Sequence, residues 1–208
     1  MIAFLFLILS SSECIGKGVP TNIAGEGVYG NISDESGSPI SGVAVSIFDG
    51  FTLYEDINTN SDGRYKISKL PVSADYYAVI FFTKLGYIPE AATLKVLKKE
   101  AVEYSIVMKN ADNNNTGFVI GTIYQPIRGG KLQYKSGIYH FGKKIGVLLG
   151  KDGATIRKET DKEGHFLFEV PPGIYKLRIE GNRKSIEVVV SKGKTVIQNL
   201  RSGIALID

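Results

Sequence analysis

The two histidines are the residues of this sequence best suited to acid–base catalysis or metal binding. His140 and His165 belong to no H-E-x-x-H motif, and no cysteine pair lies at metal-ligand spacing. The pattern predicts no metal site, no cofactor and no catalytic residue, and it places both histidines at the surface. Because a Ser-His-Asp triad is assembled in space rather than along the chain, a hydrolase remains an alternative.

Two acidic turns carry the kind of oxygen ligands that calcium prefers. One contains Asp62 and Gly63, and the other runs from Asp161 to Gly164. Each turn supplies only one or two carboxylates, and the spacing falls short of an EF-hand loop. We expect both to be structural turns in which glycine adopts a positive φ.

The segment 126–144 interleaves basic and aromatic side chains. Such a segment can contact anionic polymers, stack on sugar rings or present an edge to a protein partner. The alternative is an extended hairpin whose aromatic residues face the core and whose lysines protect its edge from aggregation. The candidate binding residues are Arg128, Lys131, Tyr134, Lys135, Tyr139, His140, Phe141, Lys143 and Lys144.

These residues must be positioned by a pattern of strands and turns that occurs twice. In both copies a polar turn with a fixed glycine precedes a strand in which polar and apolar residues alternate. Glycine and a following proline are eight residues apart in each copy, Gly63 to Pro71 and Gly164 to Pro172. The predicted inward residues are Tyr65 and Ile67 in the first copy and Phe166 and Phe168 in the second. Segment 126–144 is an insertion in the second copy.

Three motifs of the first copy are typical of one known family. They are Gly37-Ser-Pro-Ile-Ser-Gly42 with the strand that follows, Thr59-Asn-Ser-Asp-Gly63-Arg-Tyr65, and Leu70-Pro71. In these motifs the chain resembles the carboxypeptidase regulatory-like domain family, over residues 26–110 well and over 117–200 more loosely. The resemblance implies an all-β chain of two tandem transthyretin-like Greek-key β-sandwich domains. It implies an extracellular β-module and no particular activity.

Enzymes that share this fold use residues that the chain lacks. Hydroxyisourate hydrolases carry a C-terminal Tyr-Arg-Gly-Ser motif, whereas this chain has Leu200-Arg-Ser-Gly203. Intradiol dioxygenases hold one iron with two tyrosines and two histidines, and the two histidines here are poorly placed for that. The resemblance therefore favours a protein that is not an enzyme.

The N-terminus has the pattern of a secretory signal peptide. Ile2 to Leu9 is uniformly apolar and is followed by three serines. We therefore predict a signal peptide at 1–18, one sandwich at 19–110, a linker at 111–117 and a second, more divergent sandwich at 118–208. Cys14, the single cysteine, is a candidate for lipidation. Membrane contact is expected only if it is lipidated.

Charge is divided unevenly between the two predicted domains. Residues 19–110 carry 8 basic and 11 acidic side chains, whereas residues 111–208 carry 16 and 9. A basic exported domain attracts acidic partners without strong specificity. Nucleic acid is a poor candidate, because the chain is predicted to be exported and its basic excess is modest.

The sequence predicts an exported, non-catalytic protein that acts as a structural, adhesive or assembly module at the cell envelope or outside the cell. The predicted partner is another envelope or extracellular protein, or a polysaccharide. One alternative is a carbohydrate-binding accessory protein that uses the aromatic residues of segment 126–144, and another is a hydrolase. The oligomeric state does not follow from the sequence.

Overall fold

The structure is a computed structural model that describes residues 20–24, 26–49, 52–68, 70, 76–96, 100–112, 115–129, 138–140, 146–203 and 205–207. Every regular element in these ranges is a β-strand, which confirms the predicted all-β fold. The described part of the chain accordingly has no helix with the length and hydrophobicity to cross a membrane. The predicted signal peptide and Cys14 lie outside these ranges.

The N-terminal half forms two sheets from its described strands. One sheet has the order β1-β8-β2-β5, with β9 also paired to β2, and the other has the order β4-β3-β6-β7. The strands are β1 (Thr21–Ala24), β2 (Gly27–Ser33), β3 (Ala44–Asp49), β4 (Thr52–Asn58), β5 (Arg64–Ile67), β6 (Tyr76–Thr83), β7 (Glu90–Val96), β8 (Glu100–Glu103) and β9 (Ile106–Val107).

Alternation along these strands places the core between the two sheets. Tyr65 and Ile67 on β5 point inward, as predicted, and both are buried. β6 differs, because it is apolar on both faces. Ala78, Ile80 and Phe82 lie in the core of this domain. A strand with apolar residues on both sides must be covered on both sides. The continuous apolar sequence of β6 therefore indicates that its outer face packs against another part of the protein.

The C-terminal half repeats the arrangement. In one sheet the long strand β10 pairs with β11, β14, β17, β18 and β19, and the other sheet has the order β13-β12-β15-β16. The strands are β10 (Gly117–Gly129), β11 (Ile138–His140), β12 (Gly146–Lys151), β13 (Ala154–Glu159), β14 (His165–Val170), β15 (Gly173–Ile179), β16 (Ile186–Val190), β17 (Thr195–Ile197), β18 (Leu200–Arg201) and β19 (Ala205–Ile207).

The second sheet of each half has the same strand order, β4-β3-β6-β7 in one and β13-β12-β15-β16 in the other. Each half also has its own buried apolar cluster. The inward residues predicted for the second copy, Phe166 and Phe168, lie in the C-terminal cluster with their ring centroids 6.0 Å apart. Two sandwiches of corresponding topology therefore follow one another along the chain.

The polar turns before β5 and β14 are built in the same way. In the first, the side-chain oxygen of Asn60 accepts hydrogen bonds from the backbone N–H groups of Asp62 and Arg64, at 3.0 and 2.9 Å. In the second, Asp161 accepts from Glu163 and His165 in the same pattern, both at 2.9 Å. Gly63 and Gly164 adopt φ angles of 70° and 86°, a region that favours glycine. These side-chain oxygens close the turns.

Candidate functional site

The nine candidate residues of segment 126–144 fall largely outside the described residues. The structure gives the backbone of β10 and β11, where Tyr139 pairs with Gln125 and His140 pairs with Tyr124 in antiparallel register. Arg128 lies near the end of β10, where it pairs with Leu206 of β19. The side chains of all nine candidates, and the whole of Lys131, Tyr134, Lys135, Phe141, Lys143 and Lys144, lie outside the described residues. Their role stays a prediction.

The described residues place a different feature at the centre of the molecule, an apolar interface between the two sandwiches. Val79 and Phe81, on the side of β6 that faces away from its own core, are both 0% exposed. They form a cluster with Ala91 and with Ile120 of β10. Phe48, Leu167 and Ile197 pack against this cluster. The part of the outer face of the sheet β4-β3-β6-β7 around Val79 and Phe81 is thus covered by the sheet that contains β10 and β14.

A polar group lies beside this apolar cluster. The Nε2 atom of His165 is 3.1 Å from the Oγ1 atom of Thr93 on β7 and 3.4 Å from Oε2 of Glu163. The same Glu163 oxygen accepts a hydrogen bond from the backbone N–H of Thr93 at 3.2 Å. Both contacts to Thr93 cross between the sandwiches, so they fix the register in which the two sheets pack.

The prediction that His165 is a surface residue is wrong. Its position on β14 does point away from the C-terminal core, as alternation predicts, but only 6% of the residue is exposed. The physical reason is that the N-terminal sheet covers this outward face. Alternation along β14 therefore predicts the direction of the His165 side chain but not its burial.

The His165 group does not have the arrangement of a catalytic triad. In a triad the imidazole uses one nitrogen for the nucleophile and the other for the carboxylate. Here Thr93 and Glu163 both approach Nε2, and the buried Nδ1 has no hydrogen-bond partner among the described residues. The described residues also contain no group of three or more His, Cys, Asp or Glu side chains placed to hold a metal ion. The arrangement joins two domains rather than activating a nucleophile.

An open trough of about 440 Å³ lies on the outer face of the sheet β13-β12-β15-β16. We call it the C-terminal trough, and its lining includes Gly150, Thr155, Ile174, Lys176, Arg178 and Arg183. Gly150 pairs with Lys176 across β12 and β15. Because Gly150 has no side chain, the backbone of β12 forms a floor beside the long basic side chains of β15.

The C-terminal trough is predominantly cationic. Its lining contains four basic residues and two acidic ones, Asp152 and Glu187. The ammonium group of Lys151 is already engaged, 3.3 Å from the carbonyl oxygen of Pro172. The other three basic side chains are exposed and make no hydrogen bond or ion pair within the described part of the chain: Lys176, Arg178 and Arg183. Glu187 is the neighbour of Lys176 on β16. These cations are available to a ligand.

A separate ion pair lies on the same sheet. The guanidinium of Arg157 donates to both carboxylate oxygens of Glu180, with the shortest distance 2.9 Å. This hydrogen bonding lowers the pKa of Glu180 below its ordinary value and raises the pKa of Arg157. Arg157 is therefore neutralised by a partner, unlike the basic residues of the trough.

Comparison with protein families identifies the N-terminal half. Residues 27–109 match the model of the carboxypeptidase regulatory-like domain family. A carboxypeptidase regulatory-like domain is therefore found at residues 27–109. The resemblance seen in the motifs of the first copy is confirmed, and the matched carboxypeptidase regulatory-like domain ends before β10. That the C-terminal sandwich is a second member stays a prediction from the repeat.

Several solved structures resemble the chain in fold. The TIE protein of Bacillus anthracis is 12% identical with a TM-score of 0.36, over 86% of this chain and 34% of that one. A streptococcal ancillary pilin is 13% identical with a TM-score of 0.31, over 88% and 63%. The shaft pilin of Lactobacillus rhamnosus GG is 13% identical with a TM-score of 0.30, over 86% and 97%.

This chain spans about a third of the length of the first of these proteins and less than two thirds of the second. Likenesses of this size do not assign a function to it. No curated protein sequence matches the chain.

Sequence reasoning missed both the His165 group and the C-terminal trough. Alternation does identify Lys176 and Arg178 as outward residues of β15, so this signal was present in the sequence. What the residues around His165 do not show is that another domain covers their outward face. The interface depends on Thr93, 72 positions from His165 along the chain.

Proposed function

We propose that this protein is a non-catalytic, exported two-domain β-module that serves as a structural, adhesive or assembly element at the cell envelope or outside the cell. The observation that carries the proposal is the interface between the sandwiches. A module that holds or spaces other molecules needs domains in a fixed relation. The buried Val79 and Phe81, with the Thr93 to His165 contact, provide such a relation.

Two further observations support the proposal. The carboxypeptidase regulatory-like domain is named for a regulatory and not a catalytic part of an enzyme. His165 lies between the domains, and its Nε2 atom makes both polar contacts of the ring, to Thr93 and Glu163. Its ring is almost fully buried, so it is not open to a substrate.

Export is tested by expressing the full chain with a C-terminal tag in its source organism. We expect the protein in the envelope or the medium, with a mass that shows removal of the N-terminal segment or acylation at Cys14. Crosslinking in that fraction, followed by mass spectrometry, then identifies the partner. A full-length, unmodified protein in the cytoplasm contradicts the proposal.

The remaining alternatives have their own tests. Hydrolysis of ester, amide or glycoside substrates that is lost in His140→Ala or His165→Ala would favour the hydrolase. Retention on neutral polysaccharide that is lost when Tyr134, Tyr139 and Phe141 are changed to Ala, with folding intact, would favour the carbohydrate site of segment 126–144. Unchanged retention contradicts that site.

A further inference from the structure

The C-terminal trough occupies the face that is used for docking in the other domain. On β6 the outward residues Val79 and Phe81 are apolar and covered. On the corresponding strand, β15, the outward residues Lys176 and Arg178 are basic and exposed. At these two positions a face of the same architecture has changed from apolar to cationic, which favours an occupant that is recognised by charge.

The spacing of these cations suits an extended chain. Lys176 and Arg178 are two residues apart on one strand, and side chains at this separation lie about 7 Å apart on the same face. Arg183 extends the row beyond the strand end, into the turn before β16. Gly150 leaves the backbone of β12 open beside this row. The result is a linear arrangement of positive charge along an open floor.

The character of the lining argues against a neutral sugar or a folded protein. Neutral sugars stack on exposed aromatic rings, and protein interfaces are enriched in aromatic anchors. Tyr175 is the aromatic residue of the lining, and it is only 4% exposed because it packs in the core. Ile174 is exposed and offers a small apolar contact. Charge complementarity is therefore the main basis for binding here.

We propose that the C-terminal trough binds an acidic polysaccharide, a chain with repeated carboxylate or sulfate groups that contact Lys176, Arg178 and Arg183. Arginine recognises either group through paired hydrogen bonds. This inference rests on the proposed function, because it gives the exported module its ligand. It is distinct from the site predicted in segment 126–144.

The test measures binding of the full chain to four probes by titration at low salt. Polygalacturonate provides carboxylates and dextran sulfate provides sulfates, whereas polyglutamate represents an acidic protein and phosphatidylglycerol vesicles represent a membrane. We expect binding to one or both polysaccharides that weakens as salt increases. The probe that binds more tightly identifies the acidic group. Binding to polyglutamate or vesicles alone, or to no probe, overturns the proposal.

A charge-matched pair of variants distinguishes the trough from general attraction. The triple variant Lys176→Gln, Arg178→Gln, Arg183→Gln should weaken polysaccharide binding by about tenfold. The control triple variant Lys158→Gln, Lys162→Gln, Lys192→Gln removes the same charge from exposed positions of the same domain outside the trough. It should change binding by less than about twofold. Equal losses in both variants overturn the proposal.

A third variant changes shape without changing charge. Gly150→Val fills the floor while it keeps all the cations, and valine is favoured in strands. We expect weaker polysaccharide binding, with thermal unfolding used to confirm that all variants are folded. If Gly150→Val binds as tightly as the wild type, the trough is not the site. Export of a protein that binds none of the polysaccharides overturns this inference alone, whereas a cytoplasmic location overturns the proposed function.

Discussion

Two sheets of this molecule share one strand order and have opposite outer faces. The sheet β4-β3-β6-β7 presents Val79 and Phe81, which are fully buried against the other domain. The sheet β13-β12-β15-β16 presents Lys176 and Arg178, which remain exposed. The repeated pattern therefore determines the inner face of each sheet, whereas the outer faces differ in chemical character.

Replacing the apolar outer residues of β6 with basic ones, as on β15, should have the largest effect. The double variant Val79→Lys, Phe81→Arg places two cations in an apolar interface, where an unpaired buried charge costs about 3–5 kcal/mol. We expect the two sandwiches to separate, which small-angle X-ray scattering would detect as a larger radius of gyration. Tyr77→Lys is the matched control, because Tyr77 lies on the same face of β6 and is 46% exposed. An unchanged scattering curve for the double variant would show that the interface is not formed.

Two corresponding glycines test whether the inner faces of the two sandwiches are built in the same way. A side chain at Gly30 would overlap the carbonyl oxygen of Tyr104, and one at Gly121 would overlap that of Gln198. Gly30→Ala and Gly121→Ala should each destabilise the protein by about 2–3 kcal/mol in urea unfolding. The control is Gly150→Ala, whose added carbon would lie 3.3 Å from its nearest neighbour. If only one of Gly30→Ala and Gly121→Ala is destabilised, the inner faces of the two sandwiches are not equivalent.

The polar contact between the domains should contribute less than the apolar cluster. Thr93→Val removes the hydroxyl that contacts Nε2 of His165 and leaves a buried ring with fewer partners. We expect a loss of about 1–2 kcal/mol, measured by thermal or urea unfolding. Thr93→Ser keeps the hydroxyl and should retain most of the stability. A Thr93→Val variant as stable as the wild type would show that the contact adds nothing to docking.

The smallest effect is expected at the exposed Arg157 to Glu180 pair. Because the hydrogen bond lowers the pKa of Glu180 in the folded state, its contribution is present above the unfolded pKa and is lost as the pH falls through the folded pKa. Arg157→Gln should therefore lower the urea midpoint slightly at pH 7 and leave it equal to wild type at about pH 2. A difference that persists in acid would assign the effect to packing rather than to charge.

Much of the fold was predictable from local patterns. The alternation of Tyr65 with Ile67 and of Phe166 with Phe168 placed these residues in two cores, and the motifs around Gly63 identified the family of the first domain. These signals are local, because strand period and turn geometry depend on neighbouring residues.

The candidate sites were less predictable because they depend on distant parts of the chain. His165 and Arg178 both occupy outward positions, yet one is buried by Thr93 and its neighbours and the other is open. The difference arises from the packing of one domain on the other. The residues next to His165 and Arg178 in the sequence do not indicate this packing. The double apolar face of β6 was the sequence signal for that packing.

The direction of β10 has a consequence for a chain under tension. This first strand of the C-terminal sandwich runs parallel to β17, β18 and β19, the last strands of the domain. A force that pulls the two ends of the domain apart therefore slides β10 past its parallel neighbours. The hydrogen bonds between these strands are then strained together rather than broken one at a time. β2 also runs parallel to β8 and β9, but it is preceded by β1, which pairs with β8 in the antiparallel direction. The C-terminal sandwich thus meets a stretching force in shear, where the rate of unfolding sets its resistance.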